Sequence, residues 1–138
     1  MARAREPWNI RPARKSPSVA SSLKAEVQAK ANDLIVNVLK PKYVKPPSKG
    51  EQFNYITDIA AKWFRNNFYF IATYACPSPN ASSPSFEWKF ARMEPLRGGT
   101  FALYAMRYTG KEWVGVLDAQ TVDDCMESIQ NDSWFVLA

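Results

Sequence analysis

Phe86-Glu87-Trp88-Lys89-Phe90-Ala91-Arg92-Met93 sets large, mostly aromatic side chains at even positions and partly charged ones at odd positions. That is the period of two of a half-buried strand. Glu94-Pro95-Leu96-Arg97-Gly98-Gly99 interrupts it with turn residues. Thr100 to Tyr108 then resumes in β-branched and aromatic residues, and Thr109-Gly110 turns the chain into Glu112–Leu117. Three successive antiparallel strands are expected.

Upstream, Phe53–Phe64 fits two patterns. Phe53, Tyr55, Thr57, Ile59, Ala61 and Trp63 alternate as a strand does, while Ile56, Ile59, Ala60, Trp63 and Phe64 suit a helix. The next residues decide for a hairpin. Arg65-Asn66-Asn67 is turn chemistry, since Asn tolerates positive φ, and Phe68–Ala75 is strongly strand-forming. Cys76–Pro84 reads as an irregular loop with three prolines. Its Asn80-Ala81-Ser82 matches a glycosylation sequon, a coincidence of pattern without a secretory route.

Helices flank the strands. In Ser21–Leu39, Leu23, Val27, Leu34 and Val38 share a stripe with Ala31 and Ile35 beside it. Ser21 or Ser22 suits the N-cap, Glu26 and Lys30 form an i,i+4 pair, and Lys40-Pro41 is expected to end the helix. After Leu117, Thr121 with Asp124 resembles a capping box, and Val122, Cys125, Met126 and Ile129 give the helix Thr121–Gln130 one apolar face. Ser133–Ala138 is apolar enough to fold back on the body. The expected fold is α+β: an antiparallel β-meander of about five strands, with the N-terminal and C-terminal helices packed on one face. Residues 21–138 make one domain with a Pro/Lys-rich connector at 41–52, preceded by an extended basic Pro-rich tail at 1–20.

The 138 residues, 46% apolar and 22% charged, suit one globular domain. No apolar run approaches the roughly 20 residues of a membrane span, and no apolar stretch follows the N-terminal arginines, so no signal peptide is read and a cytoplasmic location is expected, with organellar targeting left open. The net charge of +5 is unevenly spread. Residues 1–50 hold 11 Lys+Arg against 3 Asp+Glu, and residues 51–138 hold 7 against 10. A basic arm on a mildly acidic body points to an anionic partner.

The chemistry available is narrow. The chain has no histidine, which removes Ser-His and Cys-His nucleophile systems. Cys76 and Cys125 alone make no zinc site, and two reduced structural thiols are expected. Gly98-Gly99 sits between strands, with no helix to present N–H groups to a phosphate. Asp58 and Glu87 are the only carboxylates within strongly apolar strands, and charges on a solvent face explain them more simply than catalysis. No cofactor, no metal and no enzymatic activity are therefore expected.

A run of residues resembles a family of small uncharacterised bacterial proteins. It takes in Tyr55-Ile56-Thr57-Asp58-Ile59, Lys62-Trp63, Phe68-Tyr69-Phe70, Tyr74-Ala75-Cys76-Pro77, Phe90-Ala91-Arg92-Met93-Glu94 and Met106-Arg107-Tyr108-Thr109-Gly110. The likeness covers about residues 40–135. Members tend to have histidine where Tyr108 stands, so this chain departs there. The resemblance implies a single domain and no activity.

The leading expectation is a non-catalytic binding or assembly protein, docking through its basic arm onto nucleic acid, a ribonucleoprotein or a larger protein complex. Arg3, Arg5, Trp8, Arg11, Arg14 and Lys15 carry that contact, with Lys42 and Lys45 of the connector as an extension of the strip. A solvated terminus or a transit segment is the plainer account of the arm. Arg92 and Arg107 are sheet-face candidates, on the parity of Phe90 and Leu103 respectively, able to bind an anion or stack on a base. The alternative function is a small-ligand domain with an aromatic pocket between curved sheet and helix.

Overall fold

The computed structural model describes residues 15–107, 109 and 111–137. Arg3, Arg5, Trp8, Arg11 and Arg14 of the expected tail, and Tyr108, lie outside the described residues. Strands β1 (Tyr55–Phe64), β2 (Asn67–Ala75), β3 (Ser85–Pro95), β4 (Phe101–Met106) and β5 (Trp113–Gln120) form one antiparallel sheet in sequential order. The expected meander is therefore present.

The β1–β2 hairpin closes over Arg65-Asn66, with Phe64 paired to Asn67. The left-handed residue is Arg65, at φ 56°, and not an asparagine. Asn66 instead ties the turn to the chain before α1, its Nδ2 donating to the Ser16 carbonyl at 2.7 Å. A second unusual backbone lies in β5, where Ala119 adopts φ 55°.

Register shifts shape the sheet. Phe70 pairs with Ala91 but Ile71 with Lys89, so Phe90 is an extra residue on β3. Further shifts fall between Ile56 and Asp58 on β1 and at two places along the β4–β5 ladder. Each bulge bends its strand and deepens the twist, curving the sheet. The β3 bulge also puts Phe90 and Ala91 both among the core residues and reverses the parity beyond them. Arg92 thus faces away from Phe90, opposite to the expectation that they share a face.

Helices cover the concave side. Helix α1 (Ser21–Leu34) buries Val27, Ala31 and Leu34. A short helix α2 (Lys40–Tyr43) follows it, and α3 (Val122–Asn131) buries the expected Val122, Cys125, Met126 and Ile129. Opposite them lie Phe68, Phe70, Phe101, Leu103 and Met93, all fully buried. Each such side chain contributes roughly 1.5–3 kcal/mol by leaving water. Thr121 caps α3 as expected, its Oγ1 accepting from the Asp124 N–H at 3.1 Å. Lys30 ties α1 to α3, 3.0 Å from Glu26 and 2.7 Å from Asp123. Along the edge, the Gln28 amide donates to the Ala61 carbonyl at 2.9 Å and the Trp63 indole donates to the Lys24 carbonyl at 3.2 Å, pinning α1 to β1.

Two helix boundaries differ from expectation. Helix α1 starts after Ala20 with no side-chain cap, so neither Ser21 nor Ser22 serves. Nor does Lys40-Pro41 stop the helix. A π-helical turn, Ile35–Leu39, leads into α2, which carries Pro41 in its first turn. Proline in a regular helix clashes with the carbonyl four residues back. The widened turn, in which the Lys40 N–H reaches the Ile35 carbonyl, relieves that clash, and Pro41 occupies a position where a missing N–H costs little.

Phe70→Ala should lower unfolding free energy by about 3–5 kcal/mol in urea titration, the range for a buried phenylalanine. Phe53→Ala, at a side chain 80% exposed, should change it by less than about 0.5 kcal/mol. Ala119→Gly should be neutral or stabilising by up to about 1 kcal/mol, and Ala119→Val destabilising, because glycine takes this φ without strain and a β-branched residue does not.

Candidate functional site

The outer face of the sheet, turned away from the helices, gathers cations and aromatic rings. Lys62 pairs with Tyr69, Tyr69 with Arg92, Arg92 with Tyr104 and Tyr104 with Gly115. This one row crosses all five strands and alternates cation with ring over the first four. Its centre is rigid. The Arg92 guanidinium lies 4.3 Å from the Tyr104 ring centroid and 5.0 Å from that of Trp113. Trp113 in turn leans on Tyr69, with centroids 6.1 Å apart. Arg92 thus stacks on rings, although an arginine on a sheet face more often snorkels or pairs with a carboxylate such as the nearby Glu94.

Glu94 is engaged elsewhere. Its Oε1 accepts from the Tyr104 phenol at 3.0 Å, and its Oε2 lies 3.0 Å from Lys15 Nζ. Lys15 Nζ also donates to Asn67 Oδ1 at 2.7 Å, and the Ser16 N–H donates to the Pro95 carbonyl at 3.0 Å. Lys15 and Ser16 are therefore stitched to the sheet. Burial, and next the Glu94 charge, push the Tyr104 phenol up to about 12.

Towards the β1–β2 hairpin the face opens. Phe64 is 50% exposed. Arg65 lies 5.2 Å from its ring centroid and Lys89 5.9 Å, and Lys89 is also 5.2 Å from the Tyr69 ring. Residue patterning had not singled out Phe64, Arg65 or Lys89. The signal was present in Lys62-Trp63-Phe64-Arg65: once β1 is fixed as a strand, Lys62 and Phe64 must share the face opposite Trp63.

The other candidates scatter. Lys42 Nζ lies over its neighbour Tyr43 at 5.1 Å, and Lys45 donates to the Pro41 carbonyl at 2.9 Å. Lys15, by contrast, meets Asn67 and Glu94 on the sheet. Arg107 follows β4 and pairs loosely with Glu112 at 3.7 Å. Asp58 and Glu87 flank Thr73 from opposite strands, and both face solvent. Asp58 pairs with Lys40 at 3.0 Å. Among the described residues, no three His, Cys, Asp or Glu side chains gather to hold a metal ion. Cys76 and Cys125 are unbridged.

A second feature lies on the concave side. Residues 132–137 fold back through a 3₁₀ turn at Ser133–Phe135, burying Phe135 and Leu137. Between this segment and Tyr74, Phe86, Trp88 and Phe90 is a cleft of about 440 Å³. Tyr74 and Phe86 stack at 5.0 Å and 4°, a flat wall. This aromatic cleft is bounded by the C-terminal segment rather than by a helix of the α1 or α3 pair.

A family model described as a domain of unknown function (DUF3024) matches residues 19–136. The chain belongs to this family. The DUF3024 match begins just before α1, reaching further towards the N-terminus than the likeness over about 40–135. Lys15 lies outside it; every outer-face residue from Lys62 to Trp113 lies inside it. No curated protein and no solved structure matches the chain. Among the described residues of this DUF3024 protein, no helix is long and apolar enough to cross a membrane.

Two raised acids should make the fold sensitive to alkali. Burial, and next Asp124, raise the Cys125 thiol from 9.0 to about 12, and Tyr104 rises from 10.0 to about 12. Both are protonated in the folded protein over a range where the unfolded chain has lost the proton. Stability should be level below about pH 9, then fall as pH climbs towards 12. Chemical denaturation across that range checks it: the Cys125→Ala curve, normalised to its own value at neutral pH, should fall less steeply.

Proposed function

We propose that this DUF3024 chain is a non-catalytic binding protein that docks onto an anionic partner: nucleic acid, a ribonucleoprotein or the acidic surface of a larger complex. One observation carries the reading. The exposed Phe64 ring is flanked by Arg65 and Lys89 on an open sheet face, and the arm leading to Lys15 holds Arg3, Arg5, Arg11 and Arg14. Asp58 and Glu94 on that face are each paired to a lysine. Glu87 also lies on that face, two residues beyond Lys89 on β3. It is therefore the close grouping of Lys62, Arg65 and Lys89 around Phe64 and Tyr69 that favours an anion there, and association with polyanions is strongly salt-dependent.

The full chain should bind a labelled polyanion at low salt, with affinity falling linearly on a log–log salt plot. Replacing Arg3, Arg5, Arg11 and Arg14 together by glutamine should remove most of that binding at about 150 mM salt. Unchanged affinity would sink the proposed role of the arm.

The small-ligand reading stands second, on the strength of the aromatic cleft beside Tyr74 and Phe86. Among the described residues no charged side chain lines it, so its ligand would be apolar. An apolar fluorescent dye should then bind the native protein at neutral pH and lose its signal with Trp134→Ala, a side chain 52% exposed at the cleft.

A further inference from the structure

We infer that the outer face around the β1–β2 hairpin binds single-stranded nucleic acid, with Phe64 and Tyr69 as base-stacking rings and Lys62, Arg65 and Lys89 as phosphate contacts. The inference rests on the anionic-partner reading above and names the partner's chemistry.

Single strands expose two things together, a line of phosphates and unpaired bases with apolar faces. Proteins that hold them combine cations along the backbone with aromatic rings under the bases. Here both are interleaved at side-chain distance. Phe64 and Tyr69 lie on adjacent strands, with Lys62 paired directly to Tyr69. Lys89 stands between the rings, 5.9 Å from Phe64 and 5.2 Å from Tyr69. Arg92 pairs with Tyr69 from β3. Held on Tyr104 and Trp113, it fixes the inner border of the patch.

The cations now over Phe64 do not block it. A cation over an exposed ring is worth roughly two- to fivefold in an equilibrium constant. A stacked base is worth roughly 5- to 150-fold. A base arriving on Phe64 therefore displaces Arg65 or Lys89 at a net gain, and the freed cation meets the phosphate that the base brings. The shape argues against duplex. Reading a groove needs an element that enters it, whereas these side chains lie on the face of a five-stranded sheet. An acidic protein would use the cations and leave the rings idle.

The test uses the full chain and three labelled probes in fluorescence anisotropy: an oligothymidylate of about 12 nucleotides, a duplex of equal length, and heparin as a polyanion without bases. The oligothymidylate should bind more tightly than the duplex at equal salt. Phe64→Ala should weaken oligothymidylate about tenfold while leaving heparin affinity and the salt slope unchanged, and Phe64→Tyr should restore it. Lys89→Gln should weaken both probes and make the salt slope shallower by about 0.7, one phosphate contact on a single strand. Phe64 is half exposed, so both variants should fold, as far-UV circular dichroism will report. Equal binding of all three probes, or no effect of Phe64→Ala on oligothymidylate, overturns the single-strand inference and leaves the anionic-partner reading standing. Failure to bind any probe at about 50 mM salt overturns both.

Discussion

One extra residue on β3 governs how this sheet divides its side chains. Without the bulge at Phe90, strict alternation would turn Ala91 and Met93 outward and drive Arg92 and Glu94 into the core. Burying those two charges would cost several kcal/mol even when paired. With it, Phe90, Ala91 and Met93 complete the apolar layer under the helices. Arg92 and Glu94 emerge on the far side, where each finds partners. No polar or charged residue among those described is buried, and the bulge is the local device that makes this division of faces possible.

The far side carries the rings of Phe64, Tyr69, Tyr104 and Trp113. Its rings are tolerable in water because charged side chains lie across them: Arg92 over Tyr104 and Trp113, Lys89 over Tyr69, Arg65 over Phe64. The methylene stems and flat guanidinium groups cover the ring faces, and the Arg92 Nε is itself buried between its rings. A small satellite cluster, Leu96, Ala102 and Tyr104 with Trp113 against it, stiffens the β3–β4–β5 side, so the open patch near the hairpin sits beside a fixed one.

Much of the fold was legible because its elements obey simple periods. Phe68–Ala75 and the apolar face of Val122, Cys125, Met126 and Ile129 stand where alternation and helical spacing put them. The misses have physical causes. A bulge leaves no mark in composition, so the side on which Arg92 lies was hidden. The rule that proline ends a helix assumes a regular helix, and the π turn before Pro41 removes that assumption. Turn chemistry pointed to asparagine, yet Arg65 took the left-handed position while Asn66 bonded Ser16. The site was harder still. Phe64, Arg65 and Lys89 come from β1, a turn and β3, and only the pairing of strands brings them together.

The stitch at Lys15 and Ser16 has a consequence for affinity. It roots the fourteen preceding residues at a fixed point on the sheet, beside Asn66 and Asn67 and therefore beside the hairpin that carries Phe64 and Arg65. Two weak contacts joined by a short tether act as one strong one, because the second is made at an effective concentration on the order of millimolar. In the binding function proposed above, arm and face would then be two hands of one grip. Loosening the root through Glu94 or Asn66 would weaken that grip without touching either contact.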